Sequence, residues 1–211
     1  MKSFFLIAIA GLFFTSCSNH SKTAATFCDT TCVNDSIRFT GNAGLDQKLA
    51  ISIKNCKPDA IVWENKNVKR VIEFQEYLNK DVKMNPSFAN CAFGDSASWL
   101  SFNDCITGRG YLLKLPYSKD DAIGTYKAAL NSFDKKFAVD PDLRAYTDGG
   151  NIYVVNVKTG KEAEMTFKED YKMDYDNIHT ALDSINVSKN RIYVKLLKED
   201  KAVPLEKNIS L

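Results

Sequence analysis

The chain has 211 residues, 45% of them hydrophobic and 26% charged, proportions that suit a folded globular protein and exclude a disordered or collagen-like one. Its 28 basic and 26 acidic side chains leave a formal charge of +2. That balance excludes the concentrated basic face that polyanion binding needs, so nucleic acid is not an expected partner, and no motif asks for a cofactor.

The first stretch is MKSFFLIAIAGLFFTSC. Lys2 makes a positive start, Phe4 to Phe14 form an unbroken apolar run, and Thr15, Ser16 and Cys17 end it. The run is well short of the roughly 20 apolar residues of a membrane-spanning helix and fits the apolar region of a secretory signal. The small residues before the cysteine resemble the lipobox of bacterial lipoproteins, in a relaxed form with Phe and Thr at the usual Leu and Ala places. That resemblance implies cleavage before Cys17 and acyl chains on Cys17, which become the membrane anchor. It divides the chain into a signal peptide (1–16), a lipidated polar tether (17–26) and a single β domain (27–211). Ser18 after the cysteine implies sorting to the outer membrane. The lack of an acidic run over Ser18 to Lys22 implies a periplasm-facing orientation.

Beyond Cys17 there are five cysteines, Cys28, Cys32, Cys56, Cys91 and Cys105. An oxidising compartment makes disulfides the expectation, and the odd count leaves at least one thiol unpaired. Cys91 and Cys105 flank one strand-like run and could staple its ends, while Cys56 could reach back to Cys28 or Cys32. Cys28-x3-Cys32 has a spacing that could hold zinc, but no second pair accompanies it.

Ile37 and Phe39, then Leu49, Ile51 and Ile53, alternate with polar residues around a Gly- and Asn-containing loop, which predicts a half-buried hairpin. Farther along, Leu143–Phe167 reads LRAYTDGGNIYVVNVKTGKEAEMTF. Asp148-Gly149-Gly150 and Lys158-Thr159-Gly160-Lys161 are turn signals between three strand-like runs. With Phe137 to Asp142 ahead of it, this segment resembles one blade of a TolB-like or WD-repeat-like β-propeller.

Similar runs recur. Ile152-Tyr153-Val154 returns 40 residues later as Ile192-Tyr193-Val194, Tyr111 precedes Tyr153 by 42, and Arg70-Val71-Ile72 lies 40 before Tyr111. Each follows another strand-like run, at Ile61–Trp63, Trp99–Phe102, Arg144–Tyr146 and Ile185–Val187. A period of about 40 residues suits a four-stranded blade. The expected fold is therefore all-β and mostly antiparallel, a propeller-like repeat, with a β-sandwich as the alternative. Four such units require the N-terminal hairpin to complete the last one. Two short helices are expected over the sheets. One is capped by Ser118 with Asp121 and carries Ile123, Tyr126, Leu130 and Phe133; the other is capped by Asp176 and carries Ile178, Ala181 and Leu182.

No catalytic set assembles in the sequence. The two histidines are His20, in the tether, and His179, and no cysteine lies in a nucleophile motif. Asp170, Asp174, Asp176 and Asn177 lack EF-hand spacing. The aromatics Trp63, Trp99, Tyr111, Tyr153 and Tyr193 sit in strand runs and read as core. Four Asp-Ser or Asp-Thr triplets resemble the O-glycosylation sequon of exported proteins in some Gram-negative lineages, with Thr30, Ser36, Ser96 and Ser184 as acceptors. The same pairs also favour turns.

The resulting expectation is a lipid-anchored envelope protein acting as a non-catalytic binding or scaffolding module, with an envelope protein or glycan as partner. The loops around Asp104, Arg109 and Asp148 are the first candidate ligand loops. The alternatives are an envelope hydrolase acting on glycan or peptide and an immunity or inhibitor lipoprotein.

Overall fold

The computed structural model describes residues 26–78, 81–167, 181–198 and 201–211. Among the described residues fifteen strands form four sheets. The first sheet has the order β1 (Ile37–Thr40), β2 (Lys48–Lys54), β3 (Lys57–Asn65) and β4 (Val68–Glu73). The second has β5 (Ala89–Phe93), β6 (Ala97–Asn103), β7 (Gly110–Pro116) and β8 (Gly124–Tyr126). The third has β10 (Leu143–Asp148), β11 (Asn151–Asn156) and β12 (Glu162–Thr166). The fourth runs β15 (Lys201–Asn208), β14 (Arg191–Lys198), β13 (Leu182–Ser188) and β9 (Phe137–Val139). Every pairing is antiparallel except β9 with β13. The fold is all-β, as the strand-like runs predict.

The repeat is present as one hairpin per sheet. Four opposed pairs mark it: Ile61 with Ile72, Leu100 with Leu113, Ala145 with Val154, and Ile185 with Val194. From Ile72 to Leu113 to Val154 to Val194 the intervals are 41, 41 and 40 residues. The turns have the chemistry expected of tight hairpins. Gly149 and Gly150 take φ of 52° and 85°, a conformation that suits glycine and closes β10 onto β11. The N-terminal hairpin is a correction. β1 pairs with β2, and β2 with β3, so it belongs to the first sheet and not the last. The two-residue turn at Asn55 and Cys56, both at positive φ, leaves β2 no other neighbour than β3 on that side.

Three buried clusters join the sheets in sequence. Leu49, Ile51, Ile61 and Trp63 pack against Leu100, Phe102, Leu113 and Leu115, joining the first sheet to the second. Trp99 and Leu112 meet Tyr146, Val155 and Val157, joining the second to the third. Ala145, Ile152 and Val154 meet Phe137, Ile185, Ile192 and Val194, joining the third to the fourth. Burial follows from this order. β6 is buried at all seven positions because its sheet is covered on both faces. β14, in the fourth sheet, alternates exposed and buried, the pattern of a sheet covered on one face. Trp63, fully buried, satisfies its indole by donating to the Pro116 carbonyl at 3.0 Å.

The helix expected after Ser118 does not form. Gly124–Tyr126 is instead a short strand on β7, and the apolar residues are divided among clusters. Ile123 packs on the first, Leu130 in the second and Tyr126 on the third, so no single helical face could serve them. Of the second expected helix, Asp176 and Ile178 lie outside the described residues, and Leu182 opens β13. Among the described residues no helix is long and apolar enough to cross a membrane.

Asp142 links turns of the third and fourth sheets, meeting Lys158 at 2.9 Å and Lys189 at 2.6 Å. Hydrogen bonds from Lys189 and then Lys158 hold its carboxyl at about 2. A carboxyl lowered by folding stabilises above its unfolded value, near 3.9, and that contribution disappears as pH falls through about 2. Melting curves should therefore show Asp142→Asn less stable than wild type at pH 6, with the gap closing below pH 2.5. A gap that stays constant down to pH 2 contradicts the linkage.

Candidate functional site

The loop between β6 and β7 is held from several sides. Asp104, only 5% exposed, accepts from the Thr107 amide at 3.0 Å, the Thr107 hydroxyl at 2.6 Å and the Lys83 amide at 3.0 Å. The Asn103 side-chain amide donates to the Gly108 carbonyl at 2.9 Å, and Arg109 Nε donates to the Lys127 carbonyl. Gly108 takes φ of 74° with the Phe27 ring against it; an added Cβ would stand 3.0 Å from that ring. The position therefore disfavours a side chain on both counts.

Disulfides fix the segment that carries Phe27. Cys28 is bonded to Cys105 and Cys32 to Cys56, while Cys91 is unpaired. The expected reach of Cys56 back to Cys32 is realised; the staple between Cys91 and Cys105 is not. Cys91 lies opposite Leu100 in the β5–β6 ladder, five residues up the strand from Cys105. At about 3.4 Å per residue that separation far exceeds the span of a disulfide. Because Cys28 and Cys32 enter different disulfides, neither is available as a thiolate for zinc. Burial pushes the Cys91 thiol up to about 12, opposed by the charge of Arg144, so it carries almost no thiolate at neutral pH.

Two clefts open beside this loop and share Arg109. The larger, about 510 Å³, lies among Phe27, Asp104, Arg109, Tyr111, Lys136 and Phe137. The smaller, about 260 Å³, lies among Arg109, Thr125, Tyr126, Lys127, Thr147 and Asp148. The three candidate ligand-loop residues thus come together along one side of the second and third sheets. Their roles differ. Asp104 spends one oxygen on its own loop and the other on the Lys83 amide, whereas Asp148 is exposed.

A ladder of rings backs the smaller cleft. Tyr126 lies over Tyr146 at 3.9 Å between centroids, Tyr146 over Tyr153 at 5.3 Å, and Trp99 stacks with Tyr126 at 6.5 Å. Lys114 Nζ caps the Trp99 ring at 5.4 Å. Burial raises the Tyr126 and Tyr146 phenols above their ordinary value, so both remain protonated hydrogen-bond donors through neutral pH. Tyr126, Phe27 and Lys136 were not legible as site residues. Phe27 adjoins Cys28, and that adjacency is the one sequence signal that could have placed it near a disulfide-held loop.

Trp63, Trp99 and Tyr111 are core, and Tyr153 and Tyr193 are half-buried. Among the sequon acceptors, Thr30, Ser36 and Ser96 are exposed and Ser184 is half-buried in β13. The Asp29 carboxylate accepts from the Thr31 amide and hydroxyl at 2.9 and 2.7 Å, which is turn chemistry at the first sequon. Cys17, His20, Asp170, Asp174, Asn177 and His179 lie outside the described residues.

The disulfides close loops of 77 and 24 residues. Chain entropy alone then assigns about 4.5 kcal/mol to Cys28–Cys105 and about 1 kcal/mol less to Cys32–Cys56. Urea unfolding should rank the paired Cys→Ser variants in that order; the reverse ranking would show that the longer loop is not the stronger constraint. No protein-family model matches the chain, and no curated protein matches it in sequence.

Proposed function

We propose that this is a secreted, lipid-anchored binding module of the bacterial envelope, tethered through Cys17 to the outer membrane and facing the periplasm. In this reading its ligand site is the pair of clefts that share Arg109. The observation that carries the reading is the rigid loop itself. Asp104, Gly108 and the Cys28–Cys105 disulfide position Arg109 where the two clefts meet. Two disulfides among five cysteines favour an oxidising compartment, which agrees with the lipobox-like start. A preorganised cleft of several hundred Å³, with one guanidinium, phenol donors and apolar walls, suits the recognition of a polar group on an envelope protein or glycan.

Binding without turnover is favoured over hydrolysis by specific groups. The Cys91 thiol is raised to about 12. Of the three carboxylates lining the larger cleft, Asp104 accepts from Thr107 and the Lys83 amide, Asp134 accepts from the Lys136 amide at 3.0 Å, and Asp81 meets Lys57 at 2.6 Å. O-linked glycans at Thr30, Ser36 and Ser96 fit the same compartment, since all three residues are exposed.

The test is capture from detergent-solubilised envelope on the purified chain, run beside Arg109→Ala. The expected result is one stoichiometric partner on wild type and its loss from the variant. Equal retention by the variant, or cleavage of an envelope polymer by the purified chain, would overturn the reading.

A further inference from the structure

We propose that β4 is a self-pairing edge: two copies of this chain join their first sheets along Val68–Glu73, antiparallel and centred on Val71. The pairing rests on the edge itself and not on the lipid anchor or the clefts.

β4 bonds only to β3, and among the described residues no backbone group of Val68–Glu73 meets any other segment. A free edge of this kind is a template for another strand, and folded proteins usually blunt it with proline or like charge. Several other edges are covered or blunted. Residues 128–130 bond along β10. β15 carries Pro204 together with exposed Lys201 and Lys207. β12, paired with itself about its middle residue, would set Glu164 against Glu164. β4 carries no proline, and its two outward charges, Lys69 and Glu73, are of opposite sign. Its central residue, Val71, is 64% exposed, more than Ile106 at 51% or Leu197 at 46%.

The strand is also complementary to itself. Lys69, Val71 and Glu73 share the outward face, as the alternation of burial shows. Antiparallel pairing about Val71 covers the two valines with each other and sets Lys69 of each copy opposite Glu73 of the other. Opposite charges directly across a ladder are favourable, and the twofold axis supplies the pair twice. Lys69 already meets Glu64 of its own sheet at 2.8 Å, so it would stand between two carboxylates. The inner face is held independently. Arg70 lies 5.3 Å over the Trp63 ring and donates to the Pro116 carbonyl at 3.0 Å, so its side chain is held on the inner face. A single strand pair buries less than the roughly 1,200 Å² of a standard stable interface, so the expected dimer exchanges readily.

Cross-linking in the full chain tests this. Central residues of an antiparallel pair have Cα atoms about 4.5–5.5 Å apart, within disulfide range. Mild oxidation of Val71→Cys should give a covalent dimer bridged between the two positions 71, faster than Glu164→Cys dimerises through β12. Adding Lys69→Glu turns two attractive pairs repulsive and should slow the reaction about tenfold. Adding Glu73→Lys as well should restore it. Equal rates at the two cysteine positions, a bridge from position 71 to Cys91, or insensitivity to the charge reversal and swap would each overturn the proposal. Melting curves of the variants separate loss of pairing from loss of fold.

Discussion

Two sulfur–sulfur bonds hold together parts of the chain that the sheets alone leave apart. Residues 26–36 contribute no strand, so ladder hydrogen bonds cannot position them. Cys28 ties this segment to Cys105, just past the end of β6, and Cys32 ties it to Cys56, in the turn between β2 and β3. The segment thereby spans the ends of the first two sheets. Its Phe27 amide donates to the Cys105 carbonyl at 2.8 Å, and its ring lies on Gly108 to form one wall of the larger cleft. Without the disulfides the wall would depend on a few backbone bonds and one ring contact. The cleft is therefore coupled to redox environment before any ligand is considered.

The sheets supply the rigidity behind that wall. Each is a short antiparallel meander that cannot bury its apolar face alone, and each meets its neighbour in the chain through a compact cluster. The second and third sheets are covered on both sides, and their inner strands β6 and β11 carry runs of consecutive buried residues, whereas β14 of the fourth alternates. β9 departs from the meander. It precedes β10 in sequence yet lies parallel to β13, so the chain crosses between the third and fourth sheets and back. The salt bridges of Asp142 then fasten the same two sheets at their turns.

Much of this architecture was legible in the chain because it rests on local chemistry. Asp148-Gly149-Gly150 could close a hairpin and little else, and the runs ending at Ile72, Leu113, Val154 and Val194 keep a regular interval because each sheet repeats the same hairpin. What was not legible depended on distant partners. Ile123, Tyr126 and Leu130 fall at helical spacing, yet each is claimed by a different cluster, so the periodicity is incidental. The three residues of β9 carry no signal of a parallel neighbour more than forty positions away. Cysteine pairing was open because spacing does not say which strand ends meet; the Asn55-Cys56 turn, which brings Cys56 to Cys32, is defined by backbone conformation and not by composition. At the candidate site, the loops of Arg109 and Asp148 were singled out by the propeller resemblance, whereas Phe27 and Tyr126 reach the clefts through tertiary packing.

The claim on which the account depends is that this chain folds with its N-terminal segment oxidised onto the first two sheets, outside the cytoplasm. Mass spectrometry of the native protein after denaturation and thiol alkylation, with and without prior reduction, tests it directly. The account predicts one alkylated cysteine before reduction, at Cys91, and five after it, with Cys17 blocked by its lipid. Alkylation of Cys28, Cys32, Cys56 and Cys105 without reductant would contradict it.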